Sequence, residues 1–141
     1  MSRYQRPGAC LDGSGQIAGN TQISSTVTRP FLKRTWDGTW IFPSSMPPTL
    51  DGNWATARAI NDRGQMVSEA KDFSNNSRAF IWIPYLQNIT DLNSYLSASQ
   101  QLSWTLLVAY GINDQGRIVG WAAKKSNNVF QYYIPFLLYP N

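Results

Sequence analysis

Apolar positions along the chain come in short runs, interleaved with small or polar residues and closed off by clusters of Asn, Asp, Gly and Ser. The runs at 56–60, 65–69, 106–112 and 117–121 are rich in β-branched or small residues and bounded by turn signals, which predicts strands. Between the members of each pair stands Asn61-Asp62-Arg63-Gly64 or Asn113-Asp114-Gln115-Gly116. Asn suits the first position of a turn and Gly the last, where positive φ is accepted, so each pair is predicted to form a hairpin. A third strand at 78–82, Arg-Ala-Phe-Ile-Trp, and a fourth at 88–92 complete that unit. In the first unit the third and fourth strands are predicted to meet at 36–40, Trp-Asp-Gly-Thr-Trp, where Asp37-Gly38 is a two-residue hairpin signal.

The same pattern occurs three times. Cys10-Leu-Asp-Gly-Ser-Gly-Gln-Ile-Ala-Gly19, Ala59-Ile-Asn-Asp-Arg-Gly-Gln-Met-Val-Ser68 and Gly111-Ile-Asn-Asp-Gln-Gly-Arg-Ile-Val-Gly120 align without gaps, and their central glycines, Gly15, Gly64 and Gly116, lie 49 and 52 residues apart. A second echo follows each: Arg29-Pro-Phe-Leu32, Arg78-Ala-Phe-Ile81 and Ile134-Pro-Phe-Leu137. Units of this size with four short antiparallel strands match the blade of a β-propeller, which cannot bury both faces alone and must stack on neighbours. The expected fold is therefore all-β, one domain of about three four-stranded antiparallel propeller-type blades at roughly 5–53, 54–105 and 106–141. The strands number four, four and three, and Tyr4 with its neighbours is the candidate for the missing one. Three blades are too few to close a ring, so completion by oligomerisation, such as two chains in a six-bladed ring, or by a longer protein is expected.

The pairing of Ala59-Ile-Asn-Asp-Arg-Gly-Gln-Met-Val67 with Arg78-Ala-Phe-Ile-Trp82 resembles the bacterial HAF repeat, named for a His-Ala-Phe tripeptide where this chain has Arg78-Ala79-Phe80. Asp91-Leu-Asn-Ser94, Ser103-Trp104, Ala109-Tyr-Gly-Ile-Asn-Asp-Gln-Gly-Arg-Ile-Val-Gly120 and Pro135-Phe-Leu-Leu138 are similar to the closing repeat of such proteins. The resemblance implies a propeller-like fold and an extracellular or cell-envelope location, and it carries over no catalytic residues. The chain departs from the pattern in lacking the tripeptide His, in Asp12-Gly13 for Asn-Asp, in Ser68 for Gly, and in its short length.

Composition narrows the chemistry. Among 141 residues there is no His and one Cys, Cys10, which excludes an imidazole base, a His-ligated metal, an intrachain disulfide and a Cys cluster for zinc. No cofactor is expected. Cys10 stands where the other units have Ala59 and Gly111, which reads as a small buried hydrophobe. Charged residues make up only 14%, while 43 residues are Asn, Gln, Ser or Thr, a neutral polar surface that suits β-structure. The net charge of +4 is spread over small groups such as Arg29, Lys33, Arg34 and Lys124, Lys125, with no long basic stripe, so nucleic acid is disfavoured as a partner. No apolar stretch is long enough to span a membrane, and the first ten residues show no signal peptide.

Asn61-Asp62 and Asn113-Asp114 offer too few oxygens for calcium and read as turn chemistry. Phe31, Phe80, Phe136 and Trp82 recur at equivalent or adjacent positions, which assigns them to packing between blades. The aromatics that the repeat does not demand, Trp36, Trp40, Trp54, Trp104 and Trp121, are the candidate ligand-binding residues, with structural roles as the alternative. Arg78 joins them. It shares its position with Arg29, which fits a salt bridge or carbonyl contact as readily as an anion site. The carboxylates show no spacing that specifies a glycosidase pair. The leading expectation is a non-enzymatic, propeller-type binding module for a carbohydrate, in which Trp or Tyr stacks on a sugar and Asn, Asp and Arg fix hydroxyls, with a protein ligand as the other partner considered. A structural or assembly protein is the first alternative and a hydrolase or lyase the second.

Overall fold

The computed structural model describes residues 10–140. The strand assigned to Tyr4 lies outside them. Eleven strands form three antiparallel sheets of four, four and three strands, each running in chain order. Sheet 1 contains β1 (Cys10–Leu11), β2 (Gln16–Gln22), β3 (Thr28–Arg34) and β4 (Trp40–Ile41). Sheet 2 contains β5 (Ala59–Ile60), β6 (Met66–Lys71), β7 (Ser77–Ile83) and β8 (Asn88–Asp91). Sheet 3 contains β9 (Trp104–Ile112), β10 (Ile118–Ser126) and β11 (Val129–Leu138). The all-β class and the strand count of each unit are as the repeat predicts.

Alternation along the strands of sheet 2 sends successive side chains to opposite faces. Met66, Ala70, Phe80 and Trp82 pack with Ala18 and Leu32 of sheet 1. Val67, Ala79 and Ile81 pack with Leu106, Ala109, Ile118 and Ala122 of sheet 3. The middle sheet is thus covered on both faces, and its register, Val67 opposite Ile81 and Ser68 opposite Phe80, keeps the two sets apart. Phe80 and Trp82 are fully buried, in the packing role expected of them. Phe31 occupies the same repeat position on the outer face of sheet 1, where it is half-buried and lies 4.9 Å from Trp40.

Two regions depart from the strand reading. The β3–β4 connection is wider than the two-residue turn expected at Asp37-Gly38. The Arg34 N–H donates to the Thr39 carbonyl and the Gly38 N–H to the Arg34 carbonyl, each at 2.9 Å. Asp37 accepts from the Thr39 N–H and pairs with the Arg34 guanidinium at 2.9 Å, so it braces a longer loop on which Trp36 stands exposed. Between sheets 2 and 3 the chain forms a 3-10 turn (Leu92–Tyr95) and a short helix, α1 (Ala98–Ser103), started by a capping box between Ser97 and Gln100. Buried Asn93 secures this connection by donating to the Leu106 carbonyl at 3.0 Å and accepting from the Leu106 N–H at 2.7 Å.

Candidate functional site

The repeated turns are built alike. Asp12, Asn61 and Asn113 each accept two backbone N–H bonds through Oδ1, from residues two and four ahead, at 2.8–3.1 Å. This fixes the turn, and Gly15, Gly64 and Gly116 complete it at φ of 89°, 74° and 80°. Burial would raise the Asp12 carboxyl. The N–H groups of Gln16 and Ser14, the Ser14 hydroxyl and the Gln16 amide outweigh that and hold it below its ordinary value of 3.8.

The next residue in each turn reaches out of its own unit. Asp62 Oδ1 accepts from the Gly13 N–H at 2.6 Å, and Asp114 Oδ1 accepts from the Asp62 N–H at 2.9 Å. Asn61 Nδ2 also donates to the Asn113 carbonyl at 2.9 Å. Each carboxylate therefore clasps the preceding unit. Among the described residues no group of three or more His, Cys, Asp or Glu side chains lies together.

Two of the clefts among the described residues bear on function. The larger, about 530 Å³, is lined by Glu69 and Ser77 of sheet 2 and by Leu107, Val108, Tyr110, Trp121 and Tyr133 of sheet 3. Its walls are aromatic and its polar groups few, as in small-molecule sites, whose volumes run from about 300 to 1,000 Å³. Glu69 is the carboxylate of its lining, and it is held by Arg58 at 2.9 Å. Arg58 also lies over the Tyr110 ring, 5.3 Å from the centroid, so one cation orients both a wall and an acid of the cleft. The smaller cleft, about 280 Å³, is lined by Arg29, Asp51, Ser44, Ser45 and the apolar side chains of Ile23, Phe42, Pro43 and Met46.

The candidate residues are scattered. Trp121 lines the larger cleft. Trp40 stands on the outer face of sheet 1, stacked parallel to Phe42 at 6.4 Å with Lys33 over its ring. Trp36, Trp54 and Trp104 lie apart, each beside a different cation: Arg34, Lys71 and Lys124. Arg78 is engaged by Asp91 at 2.6 Å, and Arg29 donates to the carbonyls of Thr28 and Gly52 at 3.0 and 3.1 Å. Cys10 is half-buried and its thiol donates to the Ala18 carbonyl at 3.7 Å. Burial pushes that thiol up to about 11, with the nearby Asp12 charge adding to the rise.

Glu69, Ser77, Tyr110 and Tyr133 were not singled out in the sequence. One signal was present: Glu69 and Trp121 occupy the same repeat position, and a carboxylate replaced by an indole marks a place that packing does not dictate. Comparisons with protein-family descriptions, characterised proteins and solved structures find none that matches this chain.

Proposed function

We propose that the protein is a non-enzymatic binding module whose larger cleft takes a carbohydrate. The observation that carries this reading is the meeting of three aromatic rings, Tyr110, Trp121 and Tyr133, with one carboxylate and one hydroxyl, Glu69 and Ser77, in a single open cleft. Sugar rings present apolar C–H faces that stack on aromatic side chains, while their hydroxyls need a few oriented acceptors and donors. Arg58 fixes Glu69 as an acceptor. A glycan array followed by calorimetric titration tests the reading. A neutral oligosaccharide is expected to bind, to lose about tenfold or more in affinity with Trp121→Ala, and to tolerate moderate salt. Affinity that collapses with salt points to nucleic acid instead, and a titratable glycan indifferent to Trp121→Ala overturns the assignment.

An assembly role is favoured by a different observation. On the outer face of sheet 3 Val119 and Leu137 are exposed at positions that are buried in sheet 2, and on that of sheet 1 Ile17 and Phe31 are only half-buried where Met66 and Phe80 are fully buried. Such faces support a propeller-type ring completed by a second copy, in keeping with the resemblance to HAF repeats. Light scattering separates a 15.9 kDa monomer from such an assembly.

A further inference from the structure

Each junction between sheets is directional. The earlier sheet contributes the row equivalent to Val67 and Ile81, and the later sheet contributes the row equivalent to Met66 and Phe80. In the last sheet the first row is Val119 and Leu137, which are paired in register and are 46% and 54% exposed. In the first sheet the second row is Ile17 and Phe31, bordered by Trp40, which is 50% exposed. The stack therefore ends in a tail and a head that carry the two complementary rows of an internal junction.

The turn bonds have the same direction. At the junction of sheets 2 and 3 the earlier unit donates twice, from Asn61 Nδ2 to the Asn113 carbonyl and from the Asp62 N–H to Asp114. The equivalent donors of the last unit, Asn113 Nδ2 and the Asp114 N–H, have no acceptor among the described residues. The first unit offers the backbone carbonyl of Asp12, equivalent to that of Asn113, but Gly13 replaces the clasping aspartate. One bond of the two is therefore available from another head. A single clasp has a precedent in the junction of sheets 1 and 2, which has the Gly13 bond but lacks the amide bond because Asp12 has no side-chain donor.

We infer that a second copy of this chain docks head to tail: the Ile17, Phe31 and Trp40 face of one copy covers the Val119 and Leu137 face of the other, and Asn113 Nδ2 donates to the Asp12 carbonyl across the joint. This rests on the assembly reading and adds to it a polarity and a named contact. A second copy is the occupant because its head is built on the same plan as the surfaces that cover sheets 1 and 2, and because each such joint covers one head and one tail.

Light scattering and sedimentation at about 100 µM test it. The wild-type chain is expected at twice 15.9 kDa or a higher multiple. Leu137→Asp blocks the tail and Trp40→Asp blocks the head, and each alone is expected to reduce the assembly. An equimolar mixture of the two restores one joint, because one variant keeps a sound head and the other a sound tail. Asn113→Asp keeps the turn, since Asp12 makes the same turn with a carboxylate, but removes the donor, and is expected to weaken association about tenfold. A monomeric wild type overturns both the assembly reading and the polarity. An assembly broken by Leu137→Asp but untouched by Trp40→Asp shows tail-to-tail pairing and overturns the polarity alone. Leu137 and Asn113 do not line the cleft, but Trp121 and Tyr133 share the outer face of sheet 3 with Val119 and Leu137, so the glycan titration is run on the Leu137→Asp variant as well as the wild type and keeps the two readings distinguishable.

Discussion

At the scale of single residues, one repeat position shows how the same turn is made with two chemistries. Asp12 holds its loop with a carboxylate, Asn61 and Asn113 with an amide, and the backbone donors they receive are the same. The Asp12 pKa is depressed in the folded chain, so its stabilising contribution is complete above the unfolded value of 3.8 and is lost as the pH falls through the lower folded value. Asp12→Asn keeps the turn and removes the titration. Urea unfolding between about pH 5 and about pH 3 is expected to show a smaller loss of stability in that variant than in the wild type, with the two within about 1 kcal/mol at neutral pH. Equal acid sensitivity would falsify the role assigned to the carboxylate. Asp37, whose carboxyl is lowered by the Thr39 N–H, and Asp72, lowered by bonds from Asn76 and Ser74 against the effect of burial, contribute to the remaining slope in both proteins.

At the scale of elements, the strands were legible because two signals coincide: alternating burial and a turn of Asn or Asp followed by Gly. Both are local, and they place β6, β7 and β9 close to their observed bounds, whereas β10 runs on to Ser126, five residues beyond the predicted 121. The loop at 35–39 was not legible, because Asp37-Gly38 suits a tight turn, and the bonds of Asp37 to the Thr39 N–H and the Arg34 guanidinium brace the wider one. Nor were the inter-unit clasps of Asp62 and Asp114, since a period in sequence does not say whether a carboxylate serves its own turn or its neighbour's. The cleft joins Glu69 and Ser77 to rings more than thirty residues away, a juxtaposition that only the stacking of sheets creates. The connection through Asn93 is the element on which that stacking depends. Asn93→Leu leaves the buried N–H and carbonyl of Leu106 unpaired, and the expected loss of about 2–4 kcal/mol is read from urea unfolding curves. A change below about 0.5 kcal/mol would mean that the helix-bearing connection is not what fixes sheet 3.

At the scale of the whole molecule, burial is unevenly shared. Among the described residues, sheet 2 is enclosed on both faces, while sheets 1 and 3 are each covered on one. Local opening costs least where few apolar contacts are lost, so amide exchange is expected to be slowest in β6 and β7 and faster in β3 and β11, as mass spectrometry of exchanged peptides would show. Exchange as slow in β11 as in β7 at micromolar concentration would reveal a partner already covering sheet 3. The glycine at position 13 has a separate consequence. A unit added after the third by duplication meets an amide and a side-chain donor ready to receive it, whereas a unit added before the first meets no carboxylate to hold its turn. Growth of such an array is therefore easier at one end than at the other, and a gene that lengthens it has a favoured side on which to insert.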